Sequence, residues 1–85
     1  MEFELSKHAI NQMIRRSIMK EQVESVVEQP DSIIVQDSDT KVYSKLITEN
    51  SKNYLYRVFV NCVRNPTLII TVYKTSKTKK YGNKI

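Results

Sequence analysis

Apolar residues recur at helical spacing near the start of the chain, where Ala9, Ile10, Met13 and Ile14 fall on one stripe. Ser6 precedes the stripe as a residue able to accept a backbone N–H at a helix start, and Arg15 and Arg16 stand where the carbonyl end of a helix favours cations. The spacing predicts a helix over 7–16. After Ser17 and Ile18, a second stripe of Val23, Val26 and Val27 predicts a helix over about 20–28, and Pro30 ends it because the residue before a proline is disfavoured in helical geometry.

From Ser32 onward the pattern shortens to β-branched and aromatic runs, which predict strands near 32–36, 41–47, 54–63 and 67–74. Asp37-Ser38-Asp39, the run Glu49 to Asn53, and Arg64-Asn65-Pro66 separate them as turn signals. Parallel crossovers need a dozen or more residues, so these short connections favour antiparallel neighbours. The expected fold is α+β: two N-terminal helices packed on a four-stranded antiparallel sheet, in a single domain over 1–85.

Alternation assigns faces to the expected sheet. Leu68, Ile70 and Val72 should meet the helices, as should Tyr56, Val58 and Val60. Arg57 then points away from them. Tyr43, Lys45 and Ile47 are assigned to the same open face as Arg57, Thr71 and Tyr73, which gives a concave basic surface with embedded tyrosines.

Composition narrows the class. The chain has 85 residues, 40% hydrophobic and 27% charged, with one Gly and two Pro, which fits one folded domain and neither a disordered nor a low-complexity chain. Cys62 is the only cysteine, so no intramolecular disulfide or cysteine-built zinc site can form, and its apolar surroundings suit a packed thiol. No apolar run approaches a membrane span, and Met1-Glu2-Phe3-Glu4 opens acidic, so a soluble cytoplasmic protein with no membrane partner is expected. The net charge of +5 is unevenly spread. Residues 1–72 hold nine Lys or Arg against nine Asp or Glu, whereas the basic C-terminal segment 73–85 holds five lysines and no acid. Lys74, Lys77 and Lys80, interleaved with Tyr73 and Tyr81, can contact phosphates and stack bases, or can form a solubilising tail.

The candidate chemistry is sparse. His8 is the only histidine, in the first turn of the first expected helix, and no second one exists to build a His-based metal site. One glycine cannot make a glycine-rich phosphate loop. Arg57, in the middle of Leu55-Tyr56-Arg57-Val58-Phe59-Val60, needs either an acid or a polar cleft, and its planar fork suits a phosphate. Tyr43 and Tyr73 gain interest only by sharing its face.

Ser6-Lys7-His8-Ala9, Met13, Arg16, Ile18, Val23, Val27 and Gln29-Pro30 resemble the amino-terminal helices of a small bacterial domain family. That family was long catalogued only as a domain of unknown function and is grouped with the RelE/ParE toxin superfamily. Lys41-Val42-Tyr43, Tyr54 to Val60, Ile70 to Lys77 and Lys80-Tyr81 follow its pattern in order, so the resemblance spans almost the whole chain. Gln12 departs from the basic residue often found there, Ser17 from a glycine, and Met19 from a small hydroxyl cap. The resemblance implies a type II toxin: a metal-independent, cofactor-free endoribonuclease that cleaves RNA, free or on the ribosome, and leaves 2′,3′-cyclic phosphate ends. A cognate small antitoxin, acidic or strand-donating, is the implied protein partner. In this reading His8, Arg57 and Tyr73 carry catalysis, and Arg16, Tyr43, Lys45, Lys74, Lys77, Lys80 and Tyr81 bind RNA. A non-catalytic RNA- or ribosome-binding module and a ParE-like gyrase inhibitor are the alternatives.

Overall fold

Ser6 Oγ accepts the Ala9 amide at 3.0 Å, and this cap opens helix α1, Lys7–Arg15. A computed structural model describes residues 1–78 of the chain. Helix α1 closes on Ser17, which takes a φ of 55°, while the Ile18 amide donates to Met13 O at 2.8 Å and the Ser17 amide to Ile14 O at 3.4 Å. This double bond pattern is a Schellman stop, which favours glycine at the left-handed position. Helix α2, Lys20–Glu28, follows at once. Met19 carries no oxygen to cap it; instead Gln22 Oε1 accepts the Met19 amide at 2.7 Å.

The strands are β1 Phe3–Leu5, β2 Ser32–Val35, β3 Thr40–Glu49, β4 Lys52–Asn61 and β5 Thr67–Thr75. They form one five-stranded mixed sheet in the order β1-β5-β4-β3-β2, which corrects the expected four-stranded antiparallel sheet. The added strand is β1, which runs parallel to β5 and pairs Phe3 with Thr67 and Leu5 with Ile69. Three residues show no alternation that a local reading can detect. Their pairing exists only because the far end of the chain returns beside them.

A second correction concerns the β3–β4 hairpin. Asn50 and Ser51, at φ 51° and 64°, make a two-residue turn, so β3 and β4 run right up to it and Glu49 lies opposite Lys52. That register sets Tyr43 opposite Val58, Lys45 opposite Tyr56 and Ser44 opposite Arg57. Directly opposed residues share a face. Tyr43 and Lys45 therefore lie on the helix side, and Val42, Ser44 and Leu46 join Arg57 on the other. A one-residue change in loop length inverts every side chain, and the expected five-residue separator had the wrong length.

The helix side holds the core: Ala9, Met13, Ile18, Val23, Val26 and Val27 from the helices meet Tyr56, Val58, Val60, Ile69 and Val72 from the sheet. Ile10 and Ile14 stay 42% and 72% exposed, so the buried stripe of α1 is narrower than its apolar residues suggest. An irregularity between Phe59 and Val60 pairs Phe59 with Thr71 but Val60 with Ile69. Ile70 is the extra residue, and Ile69 takes the core position expected for it. The opposite side is not the open surface expected, because Val42, Ser44 and Leu55 are only 2%, 3% and 1% exposed there.

Helix α1 packs on β5, and α2 packs on β3 and β4. Beyond the reach of β1, three α1-side residues occupy the outer edge of β5. Ser6 Oγ donates to Ile70 O at 3.1 Å, Gln12 Oε1 accepts from the Val72 amide at 2.9 Å, and Arg16 Nη1 donates to Lys74 O at 3.0 Å. These alternate residues carry the outward backbone groups of the strand. Side chains thus complete a ladder that no described strand continues beyond β1.

Candidate functional site

Arg16 follows the last turn of α1, and its reach around the β5 edge brings its guanidinium over the Tyr73 ring, 5.1 Å from the centroid. Tyr73 is the direct cross-strand partner of Arg57. Arg57 is half-buried and lies 5.3 Å from the Phe59 ring centroid. Three of the expected site residues, Arg16, Arg57 and Tyr73, are therefore neighbours, drawn from α1, β4 and β5. Beside Arg16 a hollow of about 400 Å³ is lined, among the described residues, by Gln12, Arg15 and Arg16. Two arginines flanking a tyrosine, one stacked on its ring and one on the adjacent strand, can hold a phosphate and present a hydroxyl to it.

Lys74 leaves this group. It stands opposite Tyr56 on the helix side, where its Nζ meets Glu49 Oε1 at 2.8 Å and sits over the Tyr54 ring at 4.4 Å. Glu49 Oε2 also accepts from Tyr56 Oη at 2.7 Å and from Gln22 Nε2, and Gln22 Nε2 reaches Tyr56 Oη at 3.0 Å. The hydrogen bond from Lys74, then that from Tyr56, holds the Glu49 carboxyl below the usual carboxylate range despite partial burial. Burial and the bond to Glu49 push the Tyr56 hydroxyl up to about 12. Burial would lower Lys74, but its bonds to Glu49 and Tyr56 outweigh that and raise it. The cluster is a satisfied polar staple binding α2 to β3, β4 and β5. Its one signal in the sequence was Glu49 beside a two-residue turn, which the longer turn assignment hid.

The remaining expected residues separate. His8 is exposed in the first turn of α1, eight residues before Arg16, or about 12 Å along the helix at 1.5 Å per residue. Tyr43 is partly buried against the core, and Lys45 Nζ donates to Gln29 O at 2.6 Å, which satisfies a carbonyl at the end of α2. Lys77 is exposed just after β5. Lys80 and Tyr81 lie outside the described residues. Among the described residues, no three His, Cys, Asp or Glu side chains gather as a metal-binding group. Nor is any helix there long and apolar enough to cross a membrane.

Residues 5–74 match a family model described as Domain of unknown function (DUF4258). The chain belongs to this family. The matched span holds Arg16, Arg57, Tyr73 and the whole Gln22–Glu49–Tyr56–Lys74 staple. No curated protein and no solved structure matches the chain.

Proposed function

We propose that this DUF4258 chain binds RNA at the Arg16–Tyr73–Arg57 cluster and acts there as the toxin of a toxin–antitoxin pair, a metal-independent endoribonuclease that inhibits translation. The observation that carries the reading is the stacking of the Arg16 guanidinium 5.1 Å from the Tyr73 ring, on a residue whose direct cross-strand partner is Arg57. In the reaction the ribose 2′-oxygen attacks the adjacent phosphorus, the bond to the 5′-oxygen breaks, and a 2′,3′-cyclic phosphate and a 5′-hydroxyl result. Arg57 and Arg16 neutralise the charge gathered on the phosphorane oxygens. Tyr73, beneath Arg16 and opposite Arg57, relays the proton that the 2′-hydroxyl loses to the departing 5′-oxygen. His8, at the far end of α1, lies apart from this group.

The test is induction of the protein in a bacterial host, with mapping of new RNA 5′ ends. Cleavage is expected from the parent, with at least a 100-fold loss in Arg57→Ala and a similar loss in Tyr73→Phe, both still folded by circular dichroism. Unchanged cleavage by both variants would remove the assignment. The separation of His8, the side chain with the most neutral ordinary pKa, from the cluster favours a second reading, in which the same surface binds RNA or the ribosome without cutting it. Salt-sensitive RNA binding with no new ends would select that reading, and DNA damage ahead of translation arrest would select a gyrase target.

A further inference from the structure

The two edges of the sheet are finished differently. On β5, side chains from Ser6, Gln12 and Arg16 occupy the outward groups of Ile70, Val72 and Lys74, and β1 covers the start of the strand. At the other edge, no described strand lies beyond β2. The Gln36 amide donates to Thr40 O at 2.9 Å across a directly opposed pair, and hydrogen-bonded pairs alternate along an antiparallel ladder. Ser32 and Ile34 thus turn their backbone groups toward β3, while Ile33 and Val35 aim theirs outward. Ile33, Ile34 and Val35 are 50%, 37% and 65% exposed, and Ser32–Val35 contains neither a charge nor a proline. The strand itself lacks the charges and prolines that normally blunt an edge, and among the described residues no strand continues the ladder beyond it.

We propose that β2 is the docking edge for an extended segment of another protein, apolar in its centre and basic at both ends, which joins the sheet as a sixth strand. Charge selects this occupant. Exposed Asp31 stands just before β2, and exposed Asp37 and Asp39 stand just after it. The nearest cations, Lys41 and Lys45, lie one strand inward on β3, and Lys45 is engaged by Gln29. A second copy of the chain fits less well. The two-fold register that matches Ile33 with Val35 of the copy, using all the outward groups, sets Asp31 opposite Asp37 at both ends, and directly opposed like charges destabilise a pair. This inference goes beyond the RNA reading and does not depend on it, since β2 is an edge strand separated from β5 by β3 and β4.

The experiment titrates the full chain into a fluorescein-labelled peptide, Lys-Lys-Val-Thr-Ile-Thr-Val-Lys-Lys, and follows anisotropy. Saturable binding is expected, weakened at least 10-fold when glutamates replace the terminal lysines. Val35→Pro, which removes an outward N–H but no bond to β3, is expected to weaken it at least 10-fold, as is Ile33→Lys. On the unaltered protein, N-methylation of alternate peptide amides is expected to abolish binding in one set and spare it in the other, a readout independent of any variant's folding. Absence of saturable binding, equal affinity for the acidic peptide, or indifference to both methylation sets would overturn the proposal. So would a dimer of the chain that Ile33→Lys dissolves, because the copy would then be the occupant. RNA binding by Val35→Pro stays at the parental level if the edge is separate from the cluster.

Discussion

Glu49 illustrates how one residue changes meaning with its register. In a five-residue turn it would be a solvated acid, but as the last residue of β3 it is the acceptor for Tyr56, Gln22 and Lys74 together. Its lowered pKa means that the folded state favours the carboxylate, so this contribution is complete above the ordinary carboxylate range and is lost as pH falls through the depressed folded value. Lys74 and Tyr56 are shifted upward, so their contributions are complete below their ordinary values and disappear only in strong alkali. Glu49→Gln should therefore destabilise the protein at neutral pH by about 1–3 kcal/mol, leaving a partly buried ammonium without its counter-charge. Urea denaturation should show the gap from the parent closing as pH falls below about 4. The departure at Ser17 also has a physical reading: a φ of 55° is where glycine costs least, and this chain holds a serine there within a closed Schellman stop.

At the scale of elements, the helices were readable and the sheet only partly so. The bounds Lys7–Arg15 and Lys20–Glu28 follow from stripe, cap and proline, all of them local. The strands of β2 to β5 were also visible, yet the face of β3 depended on whether the turn held two residues or five, and that of β5 on one bulged residue. Neither leaves a mark in alternation. Gln12 shows a similar limit. As a departure from a basic residue it reads as a lost cation, but in the fold it is the acceptor for the Val72 amide at the strand edge, a task no cation can perform because it has no free lone pair. Gln12→Met should leave that amide without its partner, cost about 1–3 kcal/mol, and raise hydrogen exchange at Val72 above that at Val58 in the strand interior.

For the molecule as a whole, the charge arithmetic and the fold act on different parts of the proposed surface. The lysine excess lies in the last thirteen residues, which Tyr73 opens, whereas Arg16 and Arg57 come from the electrically balanced residues 1–72. The logarithm of the RNA affinity should fall linearly with the logarithm of salt concentration, and Arg57→Ala should reduce the slope for a single strand by about 0.7. Measuring Kd by filter binding at several salt concentrations gives both slopes, and identical slopes would remove Arg57 from the phosphate contacts.

By itself the sequence determined the two helices, the existence of the strands β2 to β5, the side of the sheet to which Arg57 belongs, and the location of the surplus charge. Each is written in neighbours a few residues apart, through periodicity, caps and composition. Tertiary structure alone decided that Phe3–Leu5 is a strand, that Tyr43 and Lys45 face the helices, and that Arg16 bends around an edge to meet Tyr73. Those outcomes depend on contacts between segments up to sixty-four residues apart, as from Phe3 to Thr67, and on a register that a single residue can invert.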